Sequence, residues 1–325
     1  GQTGSRWCLF RAPWYMAEML VMGVDENGLG PRLGPLVASS VALRASSYRR
    51  GALCRRGLAL GLTDSKETGG FGRMGFIESV ALALIERVSG QPPSSVDALL
   101  DGIAPGTREQ LRARCPNEST SAQCWGSNLS LPAFGGDPAY GRALVDRLIG
   151  RSSIRIVDVQ TRVACPGMLN SRLAEGRNKL AVDLDLFEDL IVTTQARQCD
   201  SLLAICGMVG GIRDYAARFG RFAPDRVCES PGRRGQRKYA VRGVGEIRFE
   251  VDADVRHLPV ALASIVGKYV REICMRRIGA FYQEQIPEIR LASGYHDPVT
   301  TQFIRATESE RRRLSISDNC FQRQA

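Results

Sequence analysis

A short apolar run that ends in two adjacent acids and a glycine-rich turn is the feature that most constrains the fold. Residues 21–24 (Val-Met-Gly-Val) are followed by Asp25 and Glu26, and then by glycines and prolines as far as Pro35. A second apolar run, residues 36–43, begins directly after them. Apolar runs of this length, bounded by Gly and Pro, are typical of buried strands. Because side chains alternate along a strand, both acids can serve one site only where the strand ends and the chain bends.

The glycines of this turn are Gly28, Gly30 and Gly34, and their spacing does not match the dinucleotide-binding fingerprint. No acidic residue follows where a ribose would be bound, which argues against a Rossmann fold. Glycines let a ligand approach the backbone closely because they carry no side chain. An acidic strand end followed by a solvated turn remains the structural alternative for this stretch.

Four segments, in order along the chain, resemble the motifs of the type 2 ribonuclease H family. They are Asp25–Glu26 with the following turn, residues 64–66 (Asp-Ser-Lys), Asp254 with residues 263–268 (Ala-Ser-Ile-Val-Gly-Lys), and residues 293–298 (Ser-Gly-Tyr-His-Asp-Pro). In the family, an Asp-Glu pair closes the first strand and a Gly-Arg-Gly turn follows. The resemblance covers most of the chain, from about residue 20 to residue 305.

The resemblance implies an α/β fold, a ribonuclease H-like mixed sheet of about five strands flanked by helices. It also implies endonucleolytic hydrolysis that depends on a divalent metal. Two-metal hydrolysis of a phosphodiester needs several carboxylates around Mg²⁺ or Mn²⁺ ions. The family supplies four acids, and Asp25, Glu26 and Asp254 match three of them. We therefore predict these three residues as catalytic and metal-binding, with Mg²⁺ or Mn²⁺ as the cofactor.

The family's remaining acid, the third in chain order, is missing from its expected position. The segment Gly207-Met-Val-Gly aligns with the family's Asp-x-Val-Gly, so that Gly207 replaces the acid. Asp158, which also follows an apolar strand, is one candidate substitute ligand. Asp252 is another, because it lies two residues before Asp254 and would share its face on a strand. Leu29 stands where the family has the arginine of its turn.

The resemblance also implies a nucleic-acid partner, either RNA·DNA hybrid or a duplex that contains a ribonucleotide. Such a partner is read through its 2′-hydroxyl groups and its A-like backbone. The predicted contact residues are Gly28, Gly30, Lys66, Ser264, Lys268 and Tyr295. A net charge of +10 favours anionic partners, although an arginine-rich solvated surface would give the same composition. Lys66 and Lys268 are two of only four lysines and lie in matched motifs, where a compact charge suits a phosphate.

Three features leave alternatives open. Residues 233–238 (Arg-Arg-Gly-Gln-Arg-Lys) form the densest basic stretch, which is either a solvated hairpin tip or a further nucleic-acid contact. Because Gly207 replaces an acid, the chain can instead be a nucleic-acid-binding homologue with impaired or lost catalysis. Residues 89–150 are longer than the family core requires, and a protein-interaction subunit could use them as its partner surface.

The chain divides into three predicted regions. Residues 1–19 are expected to form a disordered N-terminal extension, and residues 20–280 a ribonuclease H-like domain with an insertion at about 89–150. Residues 281–325 are expected to form a helical extension whose charged end is frayed. Within the domain, apolar spacing predicts one helix over residues 170–190.

Composition argues against several classes of protein. The chain has 325 residues, 44% of them apolar, and can bury a globular core, but no run of about eighteen apolar residues predicts a membrane span. The ten cysteines form no Cys-x-x-Cys pair and are accompanied by only two histidines, so a zinc site is not expected. Scattered thiols are typical of a reduced, cytoplasmic protein. We expect a monomer that does not associate with membranes.

Overall fold

Seven strands form one mixed sheet in the part of the chain that the computed structural model describes, namely residues 18–62, 73–104, 106, 123–210, 212 and 214–324. The strands are β1 (Met19–Asn27), β2 (Leu36–Ala45), β3 (Ile154–Ala164), β4 (Leu202–Gly207), β5 (Val227–Ser230), β6 (Gln236–Val241) and β7 (Gly245–Glu250). Their order across the sheet is β3-β2-β1-β4-β7-β6-β5. The pairs β1–β4 and β4–β7 are parallel, and the other neighbours are antiparallel.

Helices cover both faces of this sheet. They are α1 (Arg50–Ala59), α2 (Met74–Ser89), α3 (Val96–Ile103), α4 (Pro138–Gly150), α5 (Pro166–Ala174), α6 (Lys179–Gln198), α7 (Ala253–Arg256), α8 (Leu258–Gln283), α9 (Pro298–Ala306), α10 (Glu308–Arg313) and α11 (Asp318–Phe321). Residues of α2 and α8 form the core on one face of the sheet, and residues of α6 form the core on the other. The fold is therefore a three-layer arrangement with the sheet in the middle.

Alternation of side chains along β1 explains why both faces are covered. Val21 is buried in the core that contains α2 and α8. Met22 and Val24 are buried in the opposite core, with α6. A strand with two buried faces must be apolar without interruption, which is why residues 20–24 contain no polar side chain.

The carboxyl ends of the parallel strands β1, β4 and β7 meet at one edge of the sheet. Val24 is in register with Cys206, and Gly207 is in register with Glu250. Asp25 follows Val24 and therefore lies beside Gly207 on the neighbouring strand. Ligands of open α/β sheets bind outside the carboxyl ends of the strands, so a ligand-binding site is expected at this edge.

The predicted fold class, a mixed α/β sheet flanked by helices, is confirmed, and the sheet has more strands than the five expected. The hairpin of β5 and β6 extends the sheet beyond β7. The single helix predicted over residues 170–190 is wrong, because α5 ends at Ala174 and α6 begins at Lys179. Asn178 starts the second helix by accepting a hydrogen bond from the backbone N–H of Ala181 at 2.9 Å.

The two ends of the chain differ in how far the structure describes them. Strand β1 begins at Met19, one residue before the predicted domain, and residues 1–17 lie outside the described residues. Helices α9 to α11 lie within residues 281–325, the predicted C-terminal extension. Phe303 and Phe321 are buried together with Leu33, so the segment packs on the domain. Across the described ranges, none of the helices has both the length and the apolar character needed to cross a membrane.

We expect Gly23→Ala to lower the free energy of unfolding by about 3 kcal/mol. A Cβ atom at Gly23 would lie 2.1 Å from the carbonyl carbon of Pro259 and 2.2 Å from the nitrogen of Val260, and these backbone atoms cannot move without displacing α8. Urea denaturation followed by circular dichroism measures the change. Gly102→Ala is the matched control, because nothing lies within 4 Å of a Cβ atom at that position. Equal stability of the two variants would contradict this packing of α8 on β1.

Candidate active site

A cleft of about 590 Å³ opens at the edge of the sheet where the carboxyl ends of β1, β4 and β7 meet. Its walls come from the turn after β1, the segments after β4 and β7, helix α8 and the C-terminal segment. The predicted site residues that line it are Asp25, Glu26, Gly28, Gly30, Asp252, Asp254, Ser264, Lys268 and Tyr295. Lys66, the other predicted contact, falls within residues 63–72, outside the described part of the chain. Folding thus gathers residues that are up to 270 positions apart.

Asp158 does not line this cleft. It lies on β3, in register with Ala42 of β2, and its side chain is buried. Its carboxylate accepts a hydrogen bond from Thr194 Oγ1 at 3.1 Å and pairs with Arg197 Nη1 at 3.2 Å. Because both partners belong to α6, Asp158 joins β3 to that helix. Its position does not support a role as the substitute ligand.

Gly207 lies in the cleft at the place where the resemblance expects the third acid. A Cβ atom built on Gly207 would lie 3.0 Å from Oδ1 of Asp25. The backbone at Gly207 is outside the left-handed region, so it does not require glycine. A side chain at position 207 would therefore point toward Asp25, which supports the alignment of Gly207 with the lost acid.

Asp252 and Asp254 both line the cleft, but not in the way the sequence suggested. Strand β7 ends at Glu250, so the two acids do not share a face of a strand. Asp252 is exposed at the start of α7, with a left-handed φ of 53°, and Asp254 is half-buried in the first turn of that helix. The turn after β7 therefore brings both acids to the cleft by a change of backbone direction.

The acids of the cleft have suitable chemistry for a divalent metal but an incomplete arrangement. Carboxylate oxygens are the donors that Mg²⁺ and Mn²⁺ prefer, so Asp25, Glu26 and Asp254 are appropriate ligand types. Among the residues that the structure describes, however, no three His, Cys, Asp or Glu side chains are gathered closely enough to hold a metal ion. The described side chains therefore include the expected ligand types without being gathered into a metal site.

Asp183 is a buried acid, electrostatically coupled to Asp25 and Glu26, that sequence reasoning missed. It lies on α6 with only 1% of its surface exposed, and its Oδ1 atom has no hydrogen-bond partner within the described ranges. Burial raises the pKa of its carboxyl well above the ordinary value, and the charges of Glu26 and Asp25 raise it further. The sequence does offer one signal for Asp183, because this acid lies between Val182 and Leu184 in an apolar stretch of the helix. Asp183 is thus a buried carboxyl group whose raised pKa reflects burial and the nearby charges of Glu26 and Asp25.

Glu250 and His257 form a second buried polar pair that the sequence did not reveal. Glu250 accepts hydrogen bonds from Gln236 Nε2 at 2.6 Å and from His257 Nε2 at 3.1 Å. The other ring nitrogen of His257 lies 2.9 Å from the hydroxyl of Tyr48. The hydrogen bond from His257 lowers the pKa of Glu250 to about 2, against the effect of burial. Glu250 is thus an ionised carboxylate that lines the cleft but is already bound by His257 and Gln236.

Two buried arginines hold the turn that follows the acid pair. Arg323, near the C terminus, donates hydrogen bonds to the carbonyl oxygens of Gly34, at 2.8 Å, and of Gly28. Burial lowers the pKa of Arg323 to about 9, and the nearby charge of Arg271 contributes. Arg271 lies directly beneath Gly28, since a Cβ atom there would be 2.8 Å from its Cδ. Sequence patterns alone did not predict either contact, because both join segments that are far apart in the chain.

Tyr295 and Leu29 are the remaining parts of this turn region. The guanidinium of Arg271 lies over the ring of Tyr295, 4.6 Å from its centroid, and Nη2 of Arg271 donates to the carbonyl oxygen of Ser293 at 3.0 Å. The ring of Tyr295 is half-exposed in the cleft. Leu29 packs partly against the core on the α6 face. An apolar side chain therefore occupies the position at which the resemblance expects an arginine.

Three solved structures represent what the chain is similar to. RNase HII from Archaeoglobus fulgidus, in a complex with PCNA, is 18% identical, with 93% of each chain covered and a TM-score of 0.43. RNase H2 from Pyrococcus horikoshii OT3 is 17% identical, with 93% of this chain and 92% of that chain covered and a TM-score of 0.45. Bst-RNase HIII in complex with Mn²⁺ is 13% identical, with 94% of this chain and 67% of that chain covered and a TM-score of 0.44.

No protein-family model and no curated protein sequence matches the chain. Structural similarities with identities of 13–18% and TM-scores of 0.43–0.45 carry no conclusion about activity.

We expect Asp183→Asn to make the protein more stable than wild type at pH 8, and to make little difference below about pH 4. The pKa of Asp183 is higher in the folded than in the unfolded chain, so wild type loses stability as the pH rises from about 4 through the folded pKa. Asparagine has no charge to lose and avoids this penalty. Urea denaturation at pH 4, 6 and 8 measures the difference.

Asp146→Asn is the control for this experiment, because Asp146 is exposed on α4 and pairs only at the surface with Arg87. The stability difference between this variant and wild type is expected to change little with pH. If Asp183→Asn also differs from wild type by a constant amount over the whole range, Asp183 is not a buried neutral acid.

Proposed function

We propose that this chain binds RNA·DNA hybrid, or duplex containing a ribonucleotide, in the cleft at the carboxyl ends of β1, β4 and β7. We further propose that it supports metal-dependent endonucleolytic hydrolysis only slowly, because Gly207 replaces an acid. One observation carries the proposal. Four segments that are far apart in the sequence resemble the motifs of one family, and residues of three of them line one cleft. The fourth, residues 64–66, lies outside the described residues.

The recognition of a hybrid follows from the groups on the two sides of the cleft. Gly28 and Gly30 present backbone to the cleft, and nothing lies within 4 Å of a Cβ atom at Gly30, so a sugar can approach the backbone closely there. The half-exposed ring of Tyr295 is held from behind by Arg271 and offers a flat surface to a ribose. Ser264 and Lys268 line the same cleft from α8 and supply a hydroxyl and a positive charge for a phosphate.

The limit on hydrolysis follows from the missing acid. Removing one of four carboxylates lowers the negative charge of the site and leaves a divalent ion with fewer ligands. Glu250 is not a ready replacement, because its carboxylate already accepts hydrogen bonds from Gln236 and His257. The arrangement therefore also suits the alternative of a hybrid-binding protein whose catalysis is lost, and the same experiment separates the two.

We expect Gly207→Asp to raise the rate of hybrid hydrolysis in Mg²⁺ or Mn²⁺ by at least about tenfold, which corresponds to about 1.4 kcal/mol in the activation barrier. The new carboxylate would point toward Asp25 from a backbone that does not require glycine. The measurement is cleavage of a labelled RNA·DNA hybrid under single-turnover conditions, with binding measured in parallel. Asp25→Asn in the Gly207→Asp background is expected to abolish the gain.

Asp158→Ala provides the opposing control, because Asp158 lies outside the cleft and is bound to residues of α6. It is expected to leave hydrolysis at the wild-type rate. A different result would identify Asp158 as the third acid. In that case wild type cleaves hybrid rapidly, a folded Asp158→Ala protein does not cleave it, and Gly207→Asp does not raise the rate. Binding without hydrolysis in either protein would leave the binding homologue as the function, and no binding to hybrid would remove the nucleic-acid proposal.

A further inference from the structure

A second cleft, of about 570 Å³, lies next to the proposed active site and is lined mainly by positive side chains. We call it the basic cleft. Its cationic residues are Arg50, Arg233, Arg234, Lys238, Arg248 and Arg256. They come from α1, from the loop before β6, from β6 and β7, and from α7. The charges are therefore assembled by the fold, and only part of them belongs to the basic stretch seen in the sequence.

Most of this positive charge is not neutralised by acids of the protein. Lys238 and Arg248 share Glu246, with Lys238 Nζ at 3.5 Å from its carboxylate. The carboxylate of Glu250, at the base of the basic cleft, is bound by His257. The other four cations, which are exposed and pair with no acidic side chain in the described ranges, are Arg50, Arg233, Arg234 and Arg256. Clustered unneutralised arginines create a local positive potential that attracts anions.

The walls of the basic cleft are fixed in position by a buried hydrogen-bonded chain. Gln236, at the start of β6, donates to Glu250 at 2.6 Å, and His257 binds the same carboxylate at 3.1 Å. Tyr48 continues the chain to the other ring nitrogen of His257 at 2.9 Å, and the two rings stack at an interplanar angle of 9°. The arginine-bearing loop next to Gln236 is thereby tied to the start of α8. An anion would find these walls already arranged.

The chemistry of the lining favours phosphate groups over bases. Guanidinium groups bind phosphate oxygens through paired hydrogen bonds, and four of the arginines here have no acid to pair with. The lining contains one Tyr, Phe or Trp side chain, the half-buried Tyr48, whose hydroxyl is hydrogen-bonded to His257, so cationic groups far outnumber rings for base stacking. The basic cleft thus suits a backbone that is recognised by charge and not by sequence.

We infer that the basic cleft binds backbone phosphates of the same nucleic acid whose scissile segment lies in the proposed active site. Glu250 lines both clefts, so they adjoin and one duplex can occupy both. The inference deepens the proposed function and rests on it. In this inference, the hairpin of β5 and β6, which extends the sheet, holds the substrate by phosphates that lie away from the acids.

The test is a salt titration with a fluorescein-labelled RNA·DNA hybrid of about 20 base pairs, followed by fluorescence anisotropy. For Arg233→Glu/Arg234→Glu we expect binding at least about tenfold weaker than wild type, and a slope of log K against log salt that is smaller by about 2, since about 0.9 is lost per phosphate contact. Arg50→Glu/Arg256→Glu, which changes the lining residues on α1 and α7, is expected to act in the same direction. If Arg233→Glu/Arg234→Glu fails to fold, the Arg50→Glu/Arg256→Glu variant still tests the inference.

Two controls separate the basic cleft from overall charge and from folding. Arg147→Glu/Arg151→Glu changes the charge by the same amount on the exposed end of α4, which lines neither cleft, and is expected to weaken binding less than about twofold. Arg233→Lys/Arg234→Lys keeps the charge and is expected to keep the salt slope.

Wild-type binding with an unchanged slope in both glutamate pairs would overturn the inference and leave the proposed function standing. Equal weakening by the α4 control would also overturn it, because the effect would then come from net charge alone. Failure of wild type to bind hybrid even at low salt would overturn both the inference and the proposed function.

Discussion

The close contact between helix α8 and strand β1 is the constraint on which the rest of the site depends. At Gly23 the backbone of Pro259 and Val260 occupies the space that a side chain would need. Further along the helix, a Cβ atom at Gly267 would lie 2.6 Å from Nδ2 of Asn27, the last residue of β1. The helix is therefore held against the strand at two points on either side of Asp25. As a result, Asp254, Ser264 and Lys268 reach the same cleft as the acid pair although they follow it by more than 200 residues.

Two fully buried acids show how differently the fold treats the same group. Glu78 accepts hydrogen bonds from the backbone N–H groups of Ala133, Phe134 and Gly136, at 2.6 to 2.9 Å, and from the hydroxyl of Tyr269 at 3.1 Å. These donors compensate for the loss of water, so Glu78 joins the segment between α3 and α4 to α2 and α8. Within the described residues, Oδ1 of Asp183 has no hydrogen-bond partner, and the charges of Glu26 and Asp25 add to the effect of burial in raising the pKa of its carboxyl. One carboxyl is thus satisfied by hydrogen bonds that join elements of the fold, whereas burial and two nearby acids raise the pKa of the other.

Opposite charges lie side by side at the carboxyl edge of the sheet. The cleft that contains Asp25, Glu26 and Asp254 adjoins the basic cleft, in which four arginines pair with no acidic side chain of the described residues. The cluster of positive side chains gives this edge of the sheet a local potential that attracts anions. The turn between the acid pair and β2 is held by Arg271 and Arg323, so the C-terminal segment is part of the site and not an appendage. Apart from Glu250, the two clefts are lined by different residues, which can be substituted separately.

The sequence by itself determined the parts of this protein that rest on local patterns. Continuous apolar runs predicted β1 and β2, and the position of Asp25 and Glu26 at a strand end followed from the Gly- and Pro-rich turn. Tertiary structure alone decided that Asp158 faces α6 while Gly207 faces Asp25, because that choice depends on which strands are neighbours. The same holds for Asp183 and for Arg323, whose roles come from contacts across 150 residues or more. The periodicity of apolar residues in the sequence indicates which face of a helix or strand is buried, but only the packed structure shows which residues that face contacts.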